Sequence, residues 1–237
     1  QHFVYHLLRE IELLAPYKPD IQSIHLGGGT PSHLDRAQFT QVCEALDRVA
    51  PLRAMREVAM EIDPRTVDSD DLRHYASHGV TRISFGVQDF DPKVQVAINR
   101  EQSPEMIENL LEVRDLFKGV NFDLLYGLPH QTMGTFGMTL DKTLEMRPER
   151  VTLLKYCHAP EVRKHMKLIN VTDLPAPELL PVMFQMAVER LTAAGYVWVG
   201  IDHFALEGDS LAKGPVSRTF NGFSSGTANL IGLGPSS

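Results

Sequence analysis

Apolar positions along the chain follow two alternating periods. Short runs rich in apolar and β-branched residues predict strands at Ser23–Leu26, Val58–Ile62, Arg82–Val87, Phe122–Tyr126, Val151–Tyr156 and Tyr196–Ile201. Between them, apolar residues recur every three or four positions and predict helices over 36–49, 69–78, 104–117, 134–146 and 177–194. Phe3, Val4, Leu7, Leu8, Ile11 and Leu14 show the same spacing, so a helix also opens the chain. Several ends carry their own chemistry. Asp68 can cap a helix that stops before Gly79, Ser103-Pro104 and Asp91-Pro92 place a capping oxygen before a first-turn proline, and Gly195 closes the last long helix.

Strand–helix alternation of this kind indicates βαβ units around parallel strands, wound either as an open sheet or as a barrel. In both, ligands lie beyond the C-terminal ends of the strands. Polar residues just after a strand are therefore site candidates, and those just before one are structural. The stretch Leu206–Phe223, rich in Gly, Ser and Pro, reads as an excursion from the main sheet.

Composition narrows the class. The chain has 237 residues, 43% hydrophobic and 22% charged, with a formal charge of −7. Such values fit a globular domain with a sizeable core and argue against a nucleic-acid groove or an anionic membrane surface. No apolar run approaches the roughly 20 residues of a membrane helix, and no signal-peptide pattern opens the chain. A cytoplasmic protein is the expectation. Two cysteines, Cys43 and Cys157, exclude a disulfide framework and a four-cysteine metal site.

The first strand runs into Gly27-Gly28-Gly29-Thr30-Pro31, where backbone groups can approach a ligand without intervening side chains. This is neither a P-loop nor a dinucleotide fingerprint, which need a terminal Gly-Lys-Ser/Thr or spaced glycines. Alternation in the second strand puts Ala59 and Glu61 on one face and Val58, Met60 and Ile62 on the other. An inward carboxylate is costly unless a ligand or a donor meets it; a neighbouring arginine would be the structural partner. Gly86 and Gln88 end the third strand, Arg100 follows a short helix with a guanidinium suited to carboxylate or phosphate, and Asp123 lies in the fourth strand among apolar residues. Four successive strands thus each deliver polar groups to one end.

The histidines and cysteines separate by context. His74 and His78 lie four apart on one helix, but no third ligand is indicated and a surface role is expected. His25 reads as packed or hydrogen-bonded. His203, just past a strand, is a candidate, as is Cys157; Cys43 falls in a helix and reads as core.

Taken together, Gly27-Gly28-Gly29-Thr30-Pro31, Glu61-Ile62-Asp63-Pro64-Arg65, Gly86-Val87-Gln88-Asp89-Phe90, Asn99-Arg100-Glu101-Gln102 and Asp123-Leu124-Leu125-Tyr126-Gly127-Leu128-Pro129 closely resemble the oxygen-independent coproporphyrinogen III oxidases. The likeness continues through Asp202-His203-Phe204-Ala205, Phe220-Asn221-Gly222-Phe223 and Leu230–Gly234. The resemblance implies an α/β fold, a partial (β/α)6 TIM-like radical S-adenosylmethionine (SAM) barrel with parallel strands. Residues 1–205 would form its core and 206–237 the excursion and the start of a family-specific C-terminal region. It also implies a [4Fe–4S] cluster, two bound SAM molecules, and an electron from the cluster that cleaves SAM into methionine and a 5′-deoxyadenosyl radical. That radical would take hydrogen from a propionate of coproporphyrinogen III; loss of carbon dioxide and one more electron leaves a vinyl, and two rounds give protoporphyrinogen IX. Porphyrin and heme biosynthesis would be its setting, with an electron donor and acceptor, no nucleic acid or membrane partner, and a monomeric state. By the same resemblance, Gly28 and Glu61 meet the first SAM, and Gly29, Thr30, Gln88, Arg100 and Asp123 the second. Cys157 stands where the family often has alanine and contacts through its backbone.

One departure matters. The family's CxxxCxxC segment, which supplies three cluster thiolates, would lie upstream of the opening helix, and neither Cys43 nor Cys157 has that spacing. The expectation is a piece of a longer enzyme, with no metal ligands of its own, no C-terminal domain and no activity alone. The related heme chaperones are the nearest rival; they usually read Gln-Ser-Phe where this chain has Gln88-Asp89-Phe90, and carry a His-Asn motif that differs from Arg218–Phe223. More distant rivals are a barrel hydrolase or lyase using Glu61 and Asp123 as an acid–base pair, and a scaffold that no longer reacts.

Overall fold

The computed structural model describes residues 2–213 and 230–235. They fall into two compact units, one holding the described residues up to Phe85 with Asn109–Val120 and 230–235, the other Gly86–Glu108 and the described residues from Asn121 onward.

In the first unit, α1 (His2–Leu14), β1 (Ser23–Leu26), α2 (Arg36–Val49), β2 (Glu57–Ile62) and α3 (Ser69–Ser77) lead into β3 (Arg82–Gln88). The strands run parallel in the order β1-β2-β3, with His25 opposite Ala59 and Glu61 opposite Ser84. One face therefore carries His25, Glu57, Glu61, Arg82 and Ser84, while Val58, Met60, Ile62, Ile83 and Phe85 turn the other way and are buried with Ile11, Phe39, Val42, Leu72 and Tyr75. Helix starts follow local chemistry. Asp35 accepts from the Gln38 amide at 2.8 Å while the Gln38 side chain receives the Asp35 N–H, and Asp68 and Asp71 form the same reciprocal box.

The second unit continues with α4 (Pro92–Ala97), α5 (Pro104–Leu111), β4 (Gly119–Tyr126), α6 (Met133–Met146), β5 (Arg150–Lys155), α7 (Leu179–Ala193), β6 (Tyr196–Gly200), β7 (His203–Leu206) and α8 (Ser210–Lys213). Its strand order is β4-β5-β7-β6. Phe122, Leu124, Val151, Leu153 and Phe204 are buried on the helix side with Phe136, Leu140, Met183, Ala187 and Leu191. The helix expected over 104–117 stops at Leu111, because Val113 takes non-helical dihedrals before a 3-10 turn at Arg114–Leu116; valine is a weak helix former.

The strands are mostly parallel, and one part of that expectation is corrected. β6 pairs antiparallel with β7, a strand absent from the hydropathy reading, and β7 pairs antiparallel with β5. Gly200 (φ 150°) and Ile201 (φ 49°) reverse the chain within two residues. Isoleucine at positive φ lies outside the Asn-Gly and Gly-X signatures by which hairpins are read. The stretch from Leu206 starts as the end of β7 and reaches α8; the Phe220-Asn221-Gly222-Phe223 motif lies outside the described residues.

Arginines at strand starts serve the fold. Arg82 Nε donates to Glu57 Oε2 at 3.0 Å, and Arg150 Nε to Asp209 Oδ1 at 2.9 Å, both arginines almost fully buried. Among the described residues no helix is long and apolar enough to cross a membrane.

Candidate functional site

In the first unit, the turn after β1 and the end of β2 meet. Gly28 (φ 69°) and Gly29 (φ 94°) occupy the left-handed region, where glycine alone is free of strain, and a Cβ on Gly29 would meet nothing within 4 Å. Uncovered backbone thus faces open space there. Gly27 is the opposite case: a Cβ would lie 2.5 Å from His25 Nε2 and 2.7 Å from Glu61 Oε1. Those two side chains pair at 3.0 Å, both part-exposed. The partner of Glu61 is therefore His25, across a strand pair, and not an arginine. Thr30 is extended (φ −141°) and leads into the turn where Ser32 Oγ lies 2.8 Å from Thr66 Oγ1 and accepts from the Asp63 amide at 3.2 Å. Asp63 in turn takes two guanidinium bonds from Arg65, at 3.0 and 2.7 Å, which raises the Arg65 pKa.

In the second unit, Gly86 brings Gln88 and Arg100 together. Arg100 Nε donates to the Gly86 carbonyl at 3.2 Å, and a Cβ on Gly86 would lie 2.8 Å from Arg100 Nη2 and 3.0 Å from Gln88 Nε2. Gln88 itself sits at φ 66°. A buried polar lattice holds this geometry. Gln102 Nε2 donates to the Val87 and Gly86 carbonyls, and Gln95 Nε2 donates to the carbonyls of Asp89 and Gln102 at 2.8 and 2.7 Å. Asp89, fully buried, accepts from Gln131 Nε2, Thr139 Oγ1 and the Asp91 amide at 2.6, 2.9 and 2.6 Å. Burial pushes the Asp89 carboxyl up despite these donors.

The sequence places Asp123 buried among apolar residues, but the side chain is half-buried and has a polar partner. It accepts from Asn121 Nδ2 at 2.8 Å, and Asn121 Oδ1 accepts from Thr152 Oγ1 at 3.2 Å. Cys157 is exposed just after β5, whereas Cys43 is buried in α2 with its thiol pushed up to about 12, mainly by burial. His74 and His78 both lie within hydrogen-bond distance of Thr40 Oγ1, at 3.2 and 3.1 Å, and serve packing between α2 and α3. Sequence reasoning missed Asp89, Gln95, Gln102, Gln131 and Thr139. Asp89, Gln95 and Gln102 follow the third strand closely, which is their local signal; Gln131 and Thr139 lie 42 and 50 positions from Asp89 and carry none.

A family model for the radical SAM superfamily matches residues 5–143. The chain belongs to that superfamily, as its mostly parallel α/β fold and glycine turn after β1 lead one to expect. Within it, the chain is 38% identical to the oxygen-independent coproporphyrinogen III oxidase of Escherichia coli K12 over 91% of its length and 49% of that enzyme's. It is 38% identical to the Pseudomonas aeruginosa enzyme of the same name over 97% of its length and 53% of that enzyme's. The solved structure of coproporphyrinogen III oxidase from E. coli, described as a radical SAM enzyme, superposes with a TM-score of 0.85 at 37% identity, covering 90% of this chain and 50% of that one. The chain spans about half the length of the curated relatives it matches.

The superfamily implies SAM and a [4Fe–4S] cluster. Each unit carries donor types that suit SAM: in the first, open glycine backbone and a carboxylate for hydroxyl or ammonium groups; in the second, a carboxylate, an amide and a guanidinium for a carboxylate. Neither suits the cluster. The chain has two cysteines, and among the described residues no group of three or more His, Cys, Asp or Glu could hold a metal.

Proposed function

We propose that this chain is the SAM-binding part of an oxygen-independent coproporphyrinogen III oxidase. The observation that carries the reading is the identity of 38% spread over 91% of the chain, together with a TM-score of 0.85 to a solved enzyme of that name. SAM, when bound, would supply the radical chemistry that removes a hydrogen atom from the substrate. The chain's own residues bind and orient. Gly28 and Glu61 face a first SAM, with Glu61 accepting from ribose hydroxyls or the amino group. Gly29, Thr30, Gln88, Arg100 and Asp123 face a second, with Arg100 pairing its carboxylate and Asp123 accepting from hydroxyl or ammonium. Cys157 contributes backbone. The substrate is coproporphyrinogen III, whose propionate loses a hydrogen atom, carbon dioxide and one electron to become a vinyl; two rounds yield protoporphyrinogen IX. A monomer working in the cytoplasm with an electron donor and an acceptor, and without nucleic acid or membrane, completes the reading.

The test uses the full-length protein under anaerobic conditions with SAM, a reductant and coproporphyrinogen III. Formation of protoporphyrinogen IX dependent on both SAM and reductant is the expected result. Tight stoichiometric heme binding without decarboxylation identifies a heme chaperone and overturns the proposal, as does turnover without SAM. Titration of this chain with SAM reads the number of sites, expected to be two.

A further inference from the structure

The inward face of the second unit carries a polar row that the residues above do not exhaust. Backbone register sets Asp123 of β4 beside Thr152 of β5, and Thr152 beside His203 of β7. Residues in register share a face, so the three side chains lie on one side of the sheet. At the β4 end the row is closed by the Thr152–Asn121–Asp123 hydrogen bonds. At the β7 end, His203 Nδ1 lies 2.6 Å from Asp202 Oδ1, with the two side chains 14% and 12% exposed. That oxygen has no aligned hydrogen bond. A carboxylate oxygen this deeply placed is costly unless a charge faces it, and the His203 ring is the group at that distance. The pair is delivered by the β6–β7 hairpin, with β-branched Ile201 at φ 49° and the Asp202 carbonyl accepting from the Leu153 amide at 2.7 Å.

We propose that His203, whose Nδ1 lies 2.6 Å from Asp202 Oδ1, is a binding residue for a carboxylate of the molecule that occupies this face. Nε2 is the nitrogen left to meet that molecule, and in the protonated ring it donates to the carboxylate. A carboxylate at Asp123 and a ring N–H donor at His203 suit a molecule with a donor group at one end and an acid arm at the other. The inference rests on the function proposed above. Two molecules of that reaction carry such an arm: the porphyrinogen, through its propionates, and SAM, through its amino-acid end. The shared chemistry is the carboxylate.

The experiment titrates this chain with coproporphyrin III, with its tetramethyl ester and with SAM. The unsubstituted chain should bind the acid more tightly than the ester. His203→Gln should weaken binding of one acid-bearing probe by about tenfold or more, the loss expected for a charged hydrogen bond. His203→Arg should restore it, which a purely structural histidine would not allow. Loss confined to coproporphyrin III assigns the arm to a propionate, and loss confined to SAM assigns it to the methionine carboxylate. A second readout needs no substitution: the His203 nitrogen resonances should shift on adding the acid-bearing probe. Unchanged affinity for both probes in His203→Gln overturns the inference. If the unsubstituted chain binds neither SAM nor coproporphyrin III, the function proposed above falls, and this inference with it.

Discussion

Gln131 Nε2 donates to Asp89 Oδ2 at 2.6 Å, joining two turns 42 positions apart in the chain. The same amide reads the exit of β4, since its Oε1 accepts from the Gly127 and Leu128 amides at 2.6 and 3.2 Å and its Nε2 also donates to the Leu125 carbonyl. One buried glutamine thus ties the turn that carries Gln88 to the turn that follows Asp123.

Removing that tie should be expensive. Gln131→Leu leaves a buried carboxylate short of a donor and a buried Gly127 N–H without its acceptor, at a cost of about 2–4 kcal/mol. Urea unfolding followed by circular dichroism measures it. A loss below about 0.5 kcal/mol, the range of an ordinary surface change, contradicts the assignment.

The raised Asp89 carboxyl sets the sign of a pH effect. A carboxyl raised in the folded state holds its proton more tightly there than in the unfolded chain. Its contribution is most favourable when protonated and declines as pH rises from about 4, the ordinary aspartate value, through the raised one. Asp89→Asn abolishes that slope. Unfolding free energies across pH should therefore show the unsubstituted chain losing stability relative to Asp89→Asn as pH increases, and a difference that grows in the other direction refutes the burial argument.

Gly27→Ala separates binding from folding. Its new Cβ collides with the ends of two side chains, His25 and Glu61, and not with backbone. The pair should swing aside with a change in stability of about 1 kcal/mol, while SAM binding at the first site weakens by about tenfold or more. Calorimetric titration paired with thermal melts checks both halves; SAM affinity equal to that of the unsubstituted chain removes Glu61 from the site.

Thiol chemistry should divide the two cysteines. Cys43 is buried, with a thiol pushed up to about 12, whereas Cys157 is exposed. A disulfide reagent at pH 8 should modify one thiol per folded chain and two in denaturant. Two fast equivalents in the folded chain would show that α2 opens readily.

Iron–sulfur reconstitution tests the cysteine count directly. Three thiolates are needed and the chain offers two, one of them buried. Absorbance and iron assay should find no stoichiometric [4Fe–4S] cluster on this chain.

Much of this architecture was legible along the chain. Each of six strands was placed within a few residues, because a period of two and a period near four are local properties of backbone geometry. The caps at Asp68 and Asp91 were legible for the same reason: a side chain reaching an amide two or three residues ahead needs no tertiary context. β7 was not. Four residues give too little periodicity, and the turn before it uses Ile201 in a conformation that sequence rules assign to glycine or asparagine.

By itself the sequence determined which residues stand at strand ends: Gly27 to Thr30, Glu61, Gln88 and Arg100, with Asp123 within the fourth strand. It also determined the family motifs they compose and the shortage of thiolates. Only the tertiary structure decided the partnerships. His25 meets Glu61 because β1 and β2 pair in parallel, Gly86 is small because Arg100 and Gln88 crowd over it, and Asp89 finds Gln131 across two turns. Register and turn geometry are set by packing over the whole fold, where a shift of one residue would reverse every face. No local pattern carries that information, so the pairings that shape the site became visible only once the strands were side by side.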